Sequence, residues 1–406
     1  MAKHPAQSIQ DLQFFGEFGG VNPSISDSST YTFISAKSMS DTFEGNTDGC
    51  YLYSRHSSPS NLYLSKALAN MENTEDATVF ASGIAAITST LMQLCSSGDH
   101  IVASRTIYGG TYAFLKNVFP RFGVTTTFVD FTDLDAISDA ITPQTKVLYG
   151  ESISNPLLEV LDFESISKLS KEHNLKFVVD NTFSPLLLQP AKLGADVVIH
   201  SLTKFINGSS DSIAGVVCAS SEFVNSLKDV NTGAAMLLGQ TLDSLRSASI
   251  LKNLRTLPIR MQKHSSNALY LAKEFEKLGY KVGYPGLKTH KQHRLVKQLF
   301  SKEMGHGGIL TIDFGSLEKA NAIMELLQHN NLGYLAVSLG FYKTLFCASG
   351  TSTSSEISEA EQEQMGLSEG LVRFSVGLDY DIAYTFNKML EVIRLAEMSL
   401  TQSVES

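Results

Sequence analysis

Two charged side chains follow two short apolar runs near the middle of the chain. Residues 177–179 lead directly into Asp180, and residues 197–199 come shortly before Lys204. Short apolar runs closed by polar residues are typical of parallel strands that are covered on both faces. We therefore expect Asp180 and Lys204 to lie at the carboxyl ends of neighbouring strands, the edge where open α/β sheets bind ligands.

An amine and a carboxylate at that edge point to the chemistry of pyridoxal phosphate. A lysine binds the aldehyde of this cofactor, and a carboxylate pairs with its pyridine nitrogen. Taken alone, Lys204 is more often an exposed lysine and Asp180 a strand-end acid. The prediction therefore depends on whether further groups lie along the same edge.

An anion site is predicted at Ser82, Gly83 and Ile84, which end one strand and begin a helix. A helix amino terminus presents unpaired N–H groups and the positive end of a dipole, and both favour a phosphate. The hydroxyl groups of Ser201 and Thr203 follow a later strand and are expected to reach the same phosphate. The turn has neither the Gly-x-Gly-x-x-Gly pattern of dinucleotide sites nor the pattern of a P-loop, so a nucleotide is disfavoured.

Three more polar side chains follow other strands. The ring of Tyr108 is suited to stacking on a flat cofactor, and its hydroxyl to carrying a proton. An aromatic anchor at a turn is the alternative for Tyr108. Glu151 and Asn155 close the strand before Asp180. Polar groups from five strands thus converge on one edge, and this coincidence favours a cofactor site more than any single residue does.

The elements that must position these groups alternate along the chain. Between residues 61 and 230, helical periods separate seven strand candidates, which predicts an α/β fold with a mostly parallel, doubly wound sheet. Long helical stretches over residues 231–275 lead to a smaller α+β domain. The strand candidates are Ala77–Ala81, His100–Ala103, Thr125–Val129, Lys146–Tyr149, Lys176–Val179, Asp196–His200 and Ala214–Cys218. We assign residues 61–256 to a cofactor-binding domain and residues 257–406 to a C-terminal domain.

Residues 1–60 form an amino-terminal arm that is rich in Gly, Ser, Thr and Asn and has little periodicity. Such an arm rarely folds alone, so we expect it to contact a neighbouring subunit. In the smaller domain, Arg373 stands in the alternating run 371–377, on the face opposite to Val372 and Phe374. We expect the strand to present Arg373 from its polar face, the alternative being an arginine on a solvent-facing sheet.

The composition excludes several classes of function. The net charge is −9 and the sequence has no basic block, so nucleic acid and acidic membrane surfaces are not expected partners. No apolar run approaches the roughly 18 residues of a membrane helix, and the amino terminus lacks the hydrophobic core of a signal peptide. The four cysteines show no metal-ligand spacing, so we expect no metal and reduced thiols in a cytoplasmic protein.

Taken together, the motifs resemble those of the Cys/Met metabolism family of pyridoxal-phosphate-dependent enzymes. They are Tyr-Ser-Arg (53–55), Ala-Ser-Gly (81–83), Ile-Tyr-Gly-Gly-Thr (107–111), Val-Val-Asp-Asn-Thr-Phe (178–183), Gly-Ala-Asp-Val-Val-Ile-His-Ser-Leu-Thr-Lys (194–204), Ala-Val-Ser-Leu-Gly (336–340) and Gly-Leu-Val-Arg-Phe-Ser-Val-Gly (370–377). The resemblance covers nearly the whole chain and implies an aspartate-aminotransferase-like fold with pyridoxal 5'-phosphate as cofactor. Within the cystathionine γ-lyase and methionine γ-lyase branch, the runs at 51–56, 94–98 and 349–356 are most similar to plant-type methionine γ-lyases.

The resemblance implies a role for each matching residue. Lys204 holds the cofactor and moves protons, Asp180 pairs with the ring nitrogen, and Tyr108 stacks on the ring and protonates the leaving group. The substrate α-carboxylate binds Arg373, whose two-pronged geometry suits it. The implied phosphate-binding residues are Ser82, Gly83, Ile84, Ser201 and Thr203, and the other substrate-binding residues are Ser338, Asn155 and Glu151.

The resemblance also implies an oligomer with shared active sites. Tyr53 and Arg55 are expected to reach the phosphate bound by a neighbouring subunit, which accounts for an arm without a core of its own. The family implies a homotetramer built from two such dimers. The substrate is a small sulfur amino acid.

The implied reaction is the α,γ-elimination of L-methionine to methanethiol, 2-oxobutanoate and ammonia. Cystathionine γ-lyase, cystathionine γ-synthase and O-acetylhomoserine sulfhydrylase share the same constellation and are the alternatives. A protein that only binds the cofactor is disfavoured because Lys204, Asp180, Tyr108 and Arg373 are all present.

Four positions depart from the usual family pattern and bear on the leaving group. Residues 58–61 read Ser-Pro-Ser-Asn where Asn-Pro-Thr-Arg is common. Phe205 and Ser209 stand in place of a frequent tyrosine and histidine. Gly110 stands where bacterial methionine γ-lyases carry a cysteine.

Overall fold

Seven short runs rich in valine and isoleucine form a large sheet at the positions predicted from the sequence. They are β1 (Asp76–Phe80), β2 (His100–Ser104), β3 (Thr125–Val129), β4 (Thr145–Glu151), β5 (Lys176–Asp180), β6 (Val197–Ser201) and β7 (Gly215–Ala219). Their order in the sheet is β1-β7-β6-β5-β4-β2-β3. β7 runs antiparallel to β1 and β6, and the other strand pairs are parallel, so the prediction of a mostly parallel sheet is confirmed.

The structure is a computed structural model that describes residues 4–44, 47, 49–350, 361–362 and 365–405. Its helices are α1 (Pro5–Gln10), α2 (Ala36–Phe43), α3 (Pro59–Glu72), α4 (Gly83–Leu94), α5 (Gly109–Ala113), α6 (Leu134–Ala140), α7 (Phe163–Glu172), α8 (Ser221–Lys228), α9 (Ala234–Leu238), α10 (Ser244–Leu254), α11 (Leu257–Lys277), α12 (His293–Leu299), α13 (Leu317–His329) and α14 (Ile382–Glu405). Short helical turns occur at Glu17–Gly19, Phe114–Val118, Phe119–Phe122 and Pro190–Leu193. The motif at 349–356 lies mostly outside the described residues.

Hydrophobic cores cover both faces of the large sheet. Val178 packs into one core with Ile87 of α4, and Val179 packs into the other with Ile166 of α7. Successive side chains of a strand point to opposite faces, so a strand buried on both faces has no polar position. This is why the central strands have continuous apolar sequences and end abruptly at polar residues.

A smaller sheet lies in the C-terminal part of the chain. Its strands are β8 (Lys281–Gly283), β9 (Ile309–Asp313), β10 (Tyr334–Leu335), β11 (Leu345–Ala348) and β12 (Leu371–Ser375), in the order β10-β11-β12-β9-β8. Together with α13 and α14 it forms a third core, and α11 contributes side chains to this core as well as to the core of the large sheet. The predicted domain bounds at 61–256 and 257–406 stay a prediction.

The register of the large sheet aligns the carboxyl ends of three strands. Glu151 at the end of β4 pairs with Asp180 at the end of β5, and Asp180 pairs with Ile199 of β6. Parallel strands in register end at the same edge of the sheet. The sequence predicted this geometry for the site. No helix within the described ranges is long and apolar enough to cross a membrane.

Helix α7 begins after the capping residue Asp162. Asp162 Oδ1 accepts a hydrogen bond from the Ser165 main-chain N–H (3.2 Å), and its Oδ2 accepts one from the Ser165 hydroxyl (2.8 Å). We expect Asp162→Ala to lower the free energy of unfolding by about 1 kcal/mol, because the N–H loses its partner. Denaturant unfolding measures this, with Asp162→Ser as the control that retains a capping oxygen. An unchanged unfolding midpoint in the alanine variant would contradict the expectation.

Candidate active site

A cavity of about 300 Å³ lies at the carboxyl edge of the large sheet, and a residue of β12 in the smaller sheet also lines it. Eleven of the predicted site residues line it: Ser82, Gly83, Ile84, Tyr108, Glu151, Asn155, Asp180, Ser201, Thr203, Lys204 and Arg373. Ser338 lies next to this group through its contact with Lys204. The structure therefore brings together side chains that the sequence separates by up to 291 positions, from Ser82 to Arg373.

Lys204 enters the cavity from the segment after β6. Its Nζ donates a hydrogen bond to Ser338 Oγ at 3.2 Å. Burial, followed by the nearby Arg373 guanidinium, lowers the pKa of Lys204 to about 8. About a tenth of the amine is therefore neutral at pH 7, and the neutral amine is the form that attacks an aldehyde.

Asp180 is buried at the end of β5 and held by Thr182. Its Oδ1 accepts hydrogen bonds from the Thr182 N–H (2.9 Å) and hydroxyl (2.5 Å). Burial raises the pKa of Asp180, and these two bonds oppose that shift. The Thr182 hydroxyl also accepts the N–H of Ser201 at 2.8 Å, so it joins the ends of β5 and β6. Sequence reasoning passed over Thr182, although a hydroxyl two residues after an aspartate is a recognisable turn signal.

A buried polar group that the sequence did not predict lies behind Asp180. Glu72 Oε1, at the end of α3, is 2.7 Å from His200 Nε2 and accepts a bond from Asn181 Nδ2 at 3.1 Å. Glu72 and His200 are fully buried, and the proximity of His200 opposes the rise in the pKa of Asp180. Glu72 is 128 residues from His200 and shares no local pattern with it, so no sequence signal could have found this pair.

The amino terminus of α4 forms an anion cradle beside the end of β6. Ser82 Oγ accepts the N–H of Ala85 at 3.0 Å and so caps the helix. A Cβ atom at Gly83 would lie 2.7 Å from Ser201 Cβ, so only glycine permits this approach of strand to helix. The Thr203 hydroxyl is bonded to the main chain of Ala214. The first N–H groups of α4 and the Ser201 hydroxyl thus provide donors suited to a phosphate.

Glu151 supports the main chain around the cavity. Its Oε1 accepts the Tyr108 N–H (2.6 Å), and its Oε2 accepts the Asn155 N–H (3.1 Å). Burial, and after it the charge of Asp180, raises the pKa of Glu151 well above its usual range. The Tyr108 side chain is half exposed at the cavity. Glu151 therefore orients Tyr108 and Asn155, and its predicted contact with substrate stays a prediction.

Arg373 is only 3 % exposed, so the face of β12 that carries it is buried and not open to solvent. Its Nη1 donates to Asn155 Oδ1 at 2.9 Å, and its guanidinium carbon lies 6.0 Å from the centre of the Phe183 ring. The buried Nε has no hydrogen-bond partner among the described residues. A buried guanidinium with an unpaired donor is unfavourable unless an anion accepts the remaining hydrogen bond. The Arg373 site therefore suits a substrate carboxylate.

Comparison with known proteins identifies the family to which these features belong. The model of the family described as "Cys/Met metabolism PLP-dependent enzyme" matches residues 7–384. The chain belongs to this family. The predicted membership, fold and cofactor are therefore confirmed, and the protein is a pyridoxal-phosphate-dependent enzyme of a carbon–sulfur lyase family.

Individual members of the Cys/Met metabolism family are similar over almost the whole chain. Methionine gamma-lyase of Arabidopsis thaliana is 46% identical over 380 residues, which cover 92% of this chain and 86% of that protein. The metY protein of Campylobacter jejuni, assigned as an O-acetylhomoserine (thiol)-lyase and solved with N'-pyridoxyl-lysine-5'-monophosphate, has a TM-score of 0.90 and 28% identity. Cystathionine gamma-lyase of Lactobacillus plantarum, solved with L-serine, has a TM-score of 0.87 and 30% identity. Each structural match covers 97% of this chain and 100% of the other.

The cavity fits the cofactor of the Cys/Met metabolism family on its own geometry. The cradle that a Cβ at Gly83 would fill suits the phosphate, and the buried carboxylate of Asp180 suits a cationic ring nitrogen. The amine of Lys204, with its lowered pKa, suits the aldehyde. The roles of these individual residues stay predictions.

Tyr53 and Arg55 are the two predicted site residues that lie apart from the cavity in this chain. Both are exposed, and the Arg55 guanidinium carbon is 5.8 Å from the centre of the Tyr53 ring. Arg55 lines a separate cavity with residues of α3 and β1. Their predicted action in a neighbouring subunit stays a prediction.

Two of the departures from the family pattern, at residues 58–61 and at Gly110, make defined contacts with neighbouring residues. Ser58 caps α3 by accepting the Asn61 N–H (3.2 Å), and Asn61 Nδ2 donates to the carbonyl of Leu242 (3.0 Å). At the cavity, a Cβ on Gly110 would lie 2.6 Å from Tyr108 Cε1. Any larger residue at position 110 would therefore move the ring of Tyr108.

The lowered pKa of Lys204 gives an expectation for cofactor binding. Only the neutral amine attacks an aldehyde, so the rate at which pyridoxal phosphate rejoins the cofactor-free protein should rise with pH, with a midpoint at about 8. Stopped-flow absorbance measures this rate. Pyridoxamine phosphate lacks the aldehyde and is the control, whose binding should not show this rise. A midpoint near the usual lysine pKa would contradict the expectation.

Proposed function

We propose that the protein is a methionine γ-lyase, which converts L-methionine and water into methanethiol, 2-oxobutanoate and ammonia. The observation that supports this proposal is the apolar character of the other residues that line the cavity. Among the described residues, every lining residue apart from the predicted site residues and Thr182 is apolar: Ile87, Ile153, Phe183, Ile213, Val337 and Leu339. The methylthio end of methionine is apolar and suits such a surface.

Of the alternative substrates, cystathionine carries charge at its far end. Cystathionine ends in a second ammonium and carboxylate, which need partners of opposite charge. Among the described residues that line the cavity, Arg373 is the only arginine and Lys204 the only lysine. The proposal already assigns both residues to the α-carbon end of the substrate, so the apolar lining favours methionine over cystathionine.

Different residues of the chain bind the substrate and move protons during the proposed reaction. Bound in the cavity, pyridoxal phosphate supplies an electron sink for the carbon atoms of the substrate. Arg373 and Asn155 hold the α-carboxylate, and Lys204 Nζ removes the α-proton and carries it onward. The Tyr108 hydroxyl donates a proton to the departing sulfur, which leaves as methanethiol.

The proposal includes a cytoplasmic homotetramer in which neighbouring subunits share their sites. The arm supports this, because the side chains of Phe18 and Ile34 are fully exposed although both are large and apolar. Arg55 is exposed and lies outside the cavity of its own chain, which agrees with a role at a neighbour's phosphate site.

Turnover of three substrates tests the proposed reaction. We expect kcat/KM for L-methionine to exceed that for L-cystathionine, and that for O-acetyl-L-homoserine with sulfide, as measured by product analysis. Lys204→Ala should abolish methanethiol release, because no amine remains to move the α-proton. Replacement of the exposed Lys192 by alanine should leave the activity as in the wild type. A higher kcat/KM for cystathionine would replace the proposal with a cystathionine γ-lyase.

Co-expression of two inactive variants tests the shared site. Arg55→Ala and Lys204→Ala should each lack most activity alone. Together they should regain about a quarter of the wild-type activity, because half of randomly formed dimers are mixed and each mixed dimer has one intact site. Lys204→Ala with Asp180→Ala is the control and should regain none. No recovery in the first pair would show that Arg55 serves its own chain.

A further inference from the structure

Three polar side chains on one side of helix α11 bond to main-chain carbonyl groups of other segments. Arg260, His264 and Asn267 are four and three residues apart, a spacing that places them on one face of a helix. The same helix packs Met261 into a core of the large sheet and Leu271 into the core of the small sheet. Its polar face therefore lies where segments from both sheets meet.

Arg260 binds the segment directly after Lys204. Its Nη1 donates to the carbonyl oxygen of Phe205, and its Nη2 donates to those of Ile206 (2.9 Å) and Asn253 (3.0 Å). Phe205 and Ile206 are buried, so their carbonyl groups need a donor within the protein. The guanidinium consequently fixes the main chain from which the amine of Lys204 extends.

His264 and Asn267 bind the segment directly after β12. Burial lowers the pKa of His264 to about 4, so the ring is neutral at neutral pH. Its Nδ1 lies 2.7 Å from the carbonyl oxygen of Val376 and donates to it. Asn267 Nδ2 donates to the carbonyl groups of Gly377 and Asp379, each at 3.0 Å. The strand that carries the substrate-binding arginine is thus fixed at its end.

The loop that carries Ser338 is tied to the same two segments. The N–H of Gly340 donates to Ser375 Oγ at 2.9 Å. Gly340 has a φ of +76°, and a Cβ there would lie 2.6 Å from Phe205 Cα. Glycine alone lets this loop lie directly against the residue that follows Lys204.

We propose that Arg260, His264 and Asn267 are positioning residues that set the separation between the Lys204 amine and the Arg373 guanidinium. This rests on the proposed function, in which one amino acid spans the two groups, with its α-carbon at Lys204 and its carboxylate at Arg373. The two groups belong to different sheets, so covalent geometry does not fix their separation. A misplacement of about 1 Å in such an arrangement costs about 100-fold in rate.

Asn267→Asp in the holoenzyme tests the proposal. The side chain keeps its size, but an acceptor replaces the donor that faces two carbonyl groups, so the segment after Arg373 must shift. Two unreactive probes report on the two ends of the site: α-methyl-L-methionine has no α-hydrogen, and 3-(methylthio)propylamine has no carboxylate. Calorimetric titration should give an affinity for α-methyl-L-methionine that is about tenfold weaker and an unchanged affinity for the amine.

A matched control comes from the same helix. Gln262 Nε2 donates to the carbonyl of Glu303 from outside the polar face, and Gln262→Ala should leave both affinities unchanged. Asn267→Ala serves as the second variant where the aspartate variant does not fold, with the same expected loss. In turnover, KM for methionine should rise more than kcat falls.

Two results would overturn the positioning role. Equal losses for both probes would show a general effect on the cavity, and a lower melting temperature with both affinities unchanged would show a purely structural residue. Absence of methanethiol release by the wild-type enzyme would instead overturn the proposed function. Tight binding of α-methyl-L-methionine by the wild type and weak binding by Asn267→Asp would still support the positioning role.

Discussion

The site depends on keeping charged groups out of water beside one another. Asp180, Glu151, Lys204 and Arg373 all line one cavity, and burial penalises the charged form of each. Main-chain and side-chain donors support the two carboxylates, and Asn155 supports the guanidinium. Burial lowers the pKa of Lys204, so more of its amine is in the neutral, nucleophilic form than in an exposed lysine.

Much of the fold could be predicted because strands buried on both faces leave a plain sequence signal. All seven strands of the large sheet lie within about two residues of their predicted bounds. The strands β8, β10 and β11 were not predicted, because runs of two to four residues are too short to show a period. The site followed from the strands, since its carboxylate, amine and hydroxyl groups stand where apolar runs end.

The rest depends on contacts between distant segments. Alternation along β12 indicated which face carries Arg373 but not what covers that face, so its burial could not be read from the sequence. The Glu72–His200 pair and the polar face of α11 likewise join segments with no shared local pattern. Such groups become visible only when the chain is folded.

A helix that packs into two cores has a consequence for how the molecule comes apart. α11 places Leu257 and Met261 among the side chains of one core, and Leu271 and Phe275 among those of another. Neither core can melt without removing packing from α11, because the same helix contributes apolar side chains to both. The two sheets are therefore thermodynamically coupled, and heating should give a single cooperative transition for the whole chain.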